Sequence, residues 1–175
     1  RGILIVGVVI FHLLWNLESY GFLPFTLVNS SFWWVVSRMG AIAFLVIVGM
    51  SLQYTHAKGF RWRKFTLRVV LIALCATIVS LVTYLVDDKT FIYFGILHLI
   101  ATGSLLAAFA LRFPSWVRVL AGVIAIFLPH LYTITTIQTR NFAWSGLTEN
   151  APDSLDFYPL FPWVGWVFLG SAVKI

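Results

Sequence analysis

The sequence predicts an all-α fold: a polytopic membrane bundle of six transmembrane helices with both ends in the cytoplasm. Three observations carry that expectation. Of 175 residues, 61% are apolar and only 10% charged, whereas soluble domains run near 45–50% and about 25%. The apolar residues gather into six long runs. The charges between those runs alternate in sign. This composition excludes a soluble globular enzyme, and disorder needs the opposite balance.

The six apolar segments are 2–17, 32–52, 65–86, 91–111, 116–136 and 157–173. A spanning helix takes about 20 residues. None of the six shows the sustained alternation that a membrane strand requires. The first is read as a true span and not a signal peptide, because no small-residue cleavage site follows it. The chain starts at Arg1 and ends directly after an apolar run. We therefore expect one transmembrane domain over 1–175, a fragment cut at both ends.

The loops orient the bundle. Glu18 is the only charge between the first two segments. Lys58, Arg61, Arg63 and Lys64 follow the second, with Arg68 just inside the third. Asp87, Asp88 and Lys89 come next, then Arg112 and Arg118. Arg140, Glu149, Asp153 and Asp156 precede the last segment, and Lys174 follows it. By the positive-inside rule Arg1, the 53–64 loop, the 112–118 loop and Lys174 face the cytoplasm. The excess of 12 basic over 6 acidic residues is thus a matter of topology, with the lipid bilayer as partner and no role for nucleic acid.

Small residues suggest close helix contacts at Gly40 with Ala43, Gly103 with Ala107, and Gly165 with Gly170. Pro159 and Pro162 suit a first helical turn, and Pro129 should kink the fifth span. The single Cys75 packs in an apolar run and excludes an intrachain disulfide.

Titratable residues inside spans are costly, and by default they are functional candidates. At 1.5 Å of rise per residue, His12 lies roughly 16 Å from the inner side and Arg38 roughly 9 Å from the outer. His98 reaches roughly 10 Å from outside, and His130 roughly 9 Å below the outer edge. Asn16 and Asp156 complete a layer in the outer half. Each also admits a plainer reading, as a polar group satisfied by a carbonyl or snorkelling outward. His12 is the deepest, and a neutral imidazole is suited to general base work. His56 is read as an ordinary loop residue. The five cations at 58–68 read as a topological signal touching anionic lipid, or as a phosphate-binding rim for a nucleotide-tailed donor. No Walker loop, dinucleotide fingerprint, metal-ligand spacing or nucleophile elbow is present.

Arg1-Gly2 followed by an apolar run to Phe11-His12 resembles the first span of membrane acyltransferases. The fuller resemblance is to bacterial relatives of heparan-α-glucosaminide N-acetyltransferase, through the catalytic-domain family of that enzyme. It is carried by 1–22 (RGILIVGVVIFHLLWNLESYGF), 44–51 (FLVIVGMS), 92–101 (IYFGILHLIA) and 156–170 (DFYPLFPWVGWVFLG). The resemblance implies acyl transfer from cytoplasmic acetyl-CoA, or another acyl-CoA, with no tightly bound cofactor and no metal. The acceptor it implies is a sugar or envelope glycan reached from the outer side of the cell (inner) membrane. It gives His12 the catalytic role, and gives CoA phosphates to basic residues near the inner side: Arg1, Arg61, Arg63, Lys64 and Arg68. Arg38 or His98 would then stabilise the developing oxyanion, with Asp156 in the same layer. A transporter or channel subunit using the buried layer as its pathway, and a scaffold without catalysis, remain open alternatives.

Overall fold

The computed structural model describes residues 2–23, 30–57, 59–132, 140–149 and 151–173; Arg1, Lys58 and Lys174 lie outside them. Six long helices follow the six apolar segments. They are α1 (Gly2–Ser19), α2 (Ser31–His56), α3 (Trp62–Val86), α4 (Ile96–Ala110), α5 (Ser115–Leu131) and, after the single turn α6 (Arg140–Ala143), α7 (Leu160–Ala172). No β-strand element occurs among the described residues. By length and composition α1, α2 and α3 can each cross a membrane, while α4, α5 and α7 are apolar but shorter.

The bundle is built around α7, which packs against α5, α2 and α4, while α3 leans on α4 and α1 on α2. Val164, Val167 and Ser171 of α7 are fully buried, as are Leu45 of α2 and Leu99 of α4. The outer helices turn large apolar side chains outward, among them Leu67, Leu71, Leu74, Ile78 and Leu81 of α3. That surface suits lipid, where apolar side chains need no cover. Association in lipid then depends on close packing at small residues. At the α2–α7 crossing, a Cβ on Gly170 would run into the Val46 backbone, and one on Gly49 would lie 2.6 Å from Ser171 N. At the α5–α7 crossing, a Cβ on Gly165 would lie 2.6 Å from the Gly122 carbonyl oxygen.

Several expectations need correction. Gly40 has nothing within 4 Å of a Cβ and Gly103 only ordinary contacts, so neither marks a tight crossing. His56 is the last residue of α2 and part-buried, its Nδ1 2.9 Å from the Leu52 carbonyl. Arg118 lies inside α5 and is 6% exposed, not in a loop. The fourth span starts at Ile96, not at 91, because the 87–95 segment is held as a loop. Asp87 opens that loop, accepting from the Thr90 hydroxyl at 2.6 Å and the Lys89 N–H at 3.0 Å. These bonds hold its carboxyl below the ordinary carboxylate range, Thr90 contributing most. The loop then runs beside 154–158: Leu155 N–H donates to the Thr90 carbonyl at 2.9 Å, Tyr158 N–H to Phe94 at 3.0 Å, and the Ser154 hydroxyl to Phe91 at 3.0 Å.

Candidate active site

The paired loops deliver Asp156 to the start of α4. Its Oδ2 accepts the Ile96 N–H at 2.8 Å, which places a carboxylate at the positive end of that helix. Glycine at 95 makes room for it, since a Cβ there would collide with Oδ2 and lie 3.0 Å from Cγ. Asp156 lies within electrostatic range of three positive or titratable groups from three helices. His12 of α1, His98 of α4 and Arg38 of α2 all act electrostatically on its carboxyl. Burial is the largest influence and pushes the Asp156 carboxyl above its ordinary value; the Ile96 N–H and those three groups pull against it.

Arg38 is held by rings. Its guanidinium carbon sits 5.2 Å from the Trp163 centroid and 5.4 Å from those of Trp34 and Tyr158. Tyr158 and Trp163 are themselves edge-to-face at 4.8 Å. Such cation–π contacts stabilise a guanidinium away from bulk water. Two of these aromatics flank the start of α7, so the loop that brings Asp156 also fixes the cation beside it.

His98 is bound on both sides of its ring. The Gly95 N–H points at Nδ1, 3.3 Å away, and Nε2 lies 3.4 Å from the Ser80 hydroxyl of α3. Ser80 gives its own proton to the Ile92 carbonyl at 2.6 Å. A small crevice of about 20 Å³ runs between α3 and α4, lined by Ala76, Val79, Ile92, Gly95, Leu97, His98 and Asp156; that is room for a water, not for a substrate. His12 differs. It is exposed on α1, with the ring of its neighbour Phe11 edge-on at 5.8 Å.

Of the sequence-predicted layer, His98 and Asp156 share the start of α4, while Arg38 lies over Tyr158, two residues beyond Asp156, and His12 acts on the carboxyl only electrostatically. His130 and Asn16 are exposed, and neither is among the groups acting on Asp156. At the other end, Arg61, Arg63 and Lys64 are exposed around the start of α3, and Arg68 is part-buried one turn on. Cations in a first helical turn oppose the macrodipole, so helix stability does not explain them. Arg1 lies outside the described residues.

Sequence reasoning missed three residues. Gly95 and Ser80 carried no charge to draw attention. Arg118 did carry a signal: Pro114-Ser115 ahead of an apolar run is a helix start, which puts residue 118 inside the helix. There its Nη1 donates to the Gln53 side-chain oxygen at 2.6 Å and to the Ser171 carbonyl, tying α5 to α2 and α7. Its buried Nε has no hydrogen-bond partner among the described residues. No group of three or more potential metal ligands occurs among the described residues.

No curated protein and no solved structure matches the chain. The sequence model of one family, described as heparan-alpha-glucosaminide N-acetyltransferase, catalytic, matches residues 1–174. Over nearly its whole length this multi-pass helical protein belongs to the heparan-alpha-glucosaminide N-acetyltransferase catalytic family, a family of transmembrane acetyltransferases.

Proposed function

We propose that the protein moves an acetyl or other acyl group from cytoplasmic acyl-CoA to a sugar or glycan acceptor at the outer side of the cell membrane. The chain acts as one transmembrane domain with its basic loops inside. The observation that carries this reading is the placing of Asp156 and His98 together at the start of α4, with Arg38 over the neighbouring Tyr158 ring, at the opposite end of α3 and α4 from the basic cluster.

The chemistry follows from the groups. His12 takes the proton of an acceptor hydroxyl or amine as the acceptor attacks the thioester carbonyl carbon. A carbon–oxygen or carbon–nitrogen bond forms, and the carbonyl electrons move onto oxygen. Arg38 faces that developing negative charge, held in place by its three aromatic neighbours rather than by solvent. Collapse breaks the carbon–sulfur bond, and the His12 imidazolium returns its proton to the CoA thiolate. Asp156 stabilises the imidazolium while it exists. Arg38 suits the oxyanion better than His98, whose ring nitrogens are both engaged. At the donor end Arg61, Arg63, Lys64 and Arg68 pair with the phosphates of CoA.

The test is acyl-CoA binding to the purified protein and to a variant with Arg61, Arg63, Lys64 and Arg68 all changed to Gln. The variant should bind acyl-CoA more weakly and with less dependence on salt. Equal binding by both, with the membrane topology intact, would contradict the donor-end assignment.

A further inference from the structure

We propose that His98 is a positioning residue: through Nδ1 it fixes the first turn of α4, and with Gly95 and Ser80 it holds the Asp156 carboxylate at the start of that helix. The inference rests on the reading of Asp156 as the partner of His12.

Two independent contacts fix the tautomer. The Gly95 N–H is a donor, so Nδ1 must offer its lone pair. The Ser80 hydroxyl spends its only proton on the Ile92 carbonyl, so towards Nε2 it can only accept. Both require neutral imidazole with the proton on Nε2. In that form neither nitrogen is free to take a proton from a substrate. What the ring does instead is local. The first N–H groups of a helix have no partner within it. Here the Gly95 N–H goes to His98 and the next, that of Ile96, to Asp156. The two side chains share one helix terminus, and Gly95 leaves the gap between them that the carboxylate fills. The Phe94 ring lies beside the imidazole, its centroid 5.5 Å away and its plane inclined by 30°. If His98 loses its acceptor at Nδ1, the Gly95 N–H competes for the Asp156 oxygen and the carboxylate turns.

Asn and Gln separate the two nitrogens. The Asn side-chain oxygen falls near the place of Nδ1, and the Gln amide near that of Nε2. Two readouts are needed on His98→Asn and His98→Gln. One is acyl transfer at saturating acyl-CoA. The other is an infrared titration of the Asp156 carboxyl, identified by its loss in Asp156→Asn. The charged and titratable groups acting with that carboxyl are His12, His98, Arg38 and Tyr158, so the carboxyl midpoint is read on the parent and both variants alike. His98→Asn should retain most of the transfer and shift the carboxyl midpoint less than His98→Gln does, because both lose the imidazole's pull on the carboxyl and only Asn keeps an acceptor for the Gly95 N–H. His98→Gln should lower kcat by about tenfold to a hundredfold, the scale of a misplaced catalytic geometry. It should leave KM for acyl-CoA near the parental value and raise the carboxyl midpoint, because the Ile96 N–H no longer favours the carboxylate. Equal losses in both variants, with the same midpoint in each, would overturn the proposal and make His98 an acid–base group. Parental behaviour in both would overturn it too. If no acyl transfer is found in the parent while the midpoint still separates Asn from Gln, the positioning role stands and the functional reading falls.

Discussion

Gly95→Ala is the smallest change that reaches the site without touching a charged group. The backbone of Gly95 is extended, with φ −92° and ψ −174°, so alanine adopts it without strain. The added Cβ is the whole perturbation. It would collide with Asp156 Oδ2, and lie 2.8 Å from Ile92 Cγ2 and 3.0 Å from Asp156 Cγ. Comfortable contact between such atoms begins near 3.5 Å, so the carboxyl must retreat by about 1 Å. The 2.8 Å bond from the Ile96 N–H is then stretched beyond hydrogen-bond range. A bond to a charged acceptor is worth about 1.5–3 kcal/mol. A 1 Å misplacement in an active site costs about a hundredfold in rate. We therefore expect kcat for acetyl transfer, followed with radiolabelled acetyl-CoA in detergent or liposomes, to fall by about a hundredfold. The KM for acetyl-CoA should stay near parental, because the cations proposed to hold its phosphates sit at the other end of α3. The cycle with Asp156→Ala makes the reasoning specific. Where residue 156 is already short, alanine at 95 meets no carboxylate, and the two changes should be far from additive. Parental transfer by Gly95→Ala, or plain additivity in the cycle, would refute the argument.

The helix crossings give a second prediction. Gly170→Leu, which meets the Val46 backbone, should destabilise the bundle by about 1–3 kcal/mol in detergent unfolding, whereas Gly40→Ala, with open space around it, should be neutral or stabilising by up to about 1 kcal/mol; equal effects would refute the assigned crossings. A third concerns pH. Burial raises the Asp156 carboxyl in the folded protein above its ordinary value of 3.8, so between those two values the folded state binds more protons than the unfolded. Its contribution to stability is then present at low pH and lost as pH rises through the raised value. Asp156→Asn should remove that slope from the stability profile, and an unchanged slope would contradict it.

The helical architecture was legible because its causes are local. Six apolar runs of helix length and a sign change at every loop are readable from composition and spacing alone. The candidate site was legible in part for a related reason: a titratable group inside an apolar run is conspicuous, as His12, Arg38 and His98 are, with Asp156 at the mouth of the last one. What sequence could not give was how they meet. Asp156 reaches α4 because 154–158 runs beside 90–94 through backbone groups, and backbone groups leave no mark on composition. The same pairing removed 91–95 from the fourth helix, although those residues are mostly apolar. Gly49 and Gly122 were passed over for Gly40 because a glycine in a span shows its role only when its neighbour is known. Arg118 was taken for a loop cation because charge was given more weight than the Pro114-Ser115 helix start beside it.

The most direct measurement is acyl transfer by His12→Gln beside acyl-CoA binding by the same protein. Gln keeps a comparable size and some hydrogen bonding but cannot act as the base. General base catalysis contributes about 10²–10⁴-fold. With His12 as the base, transfer should fall by about that factor, while acyl-CoA, held by the cations of α3, binds as in the parent. Transfer by His12→Gln at the parental rate would contradict the account.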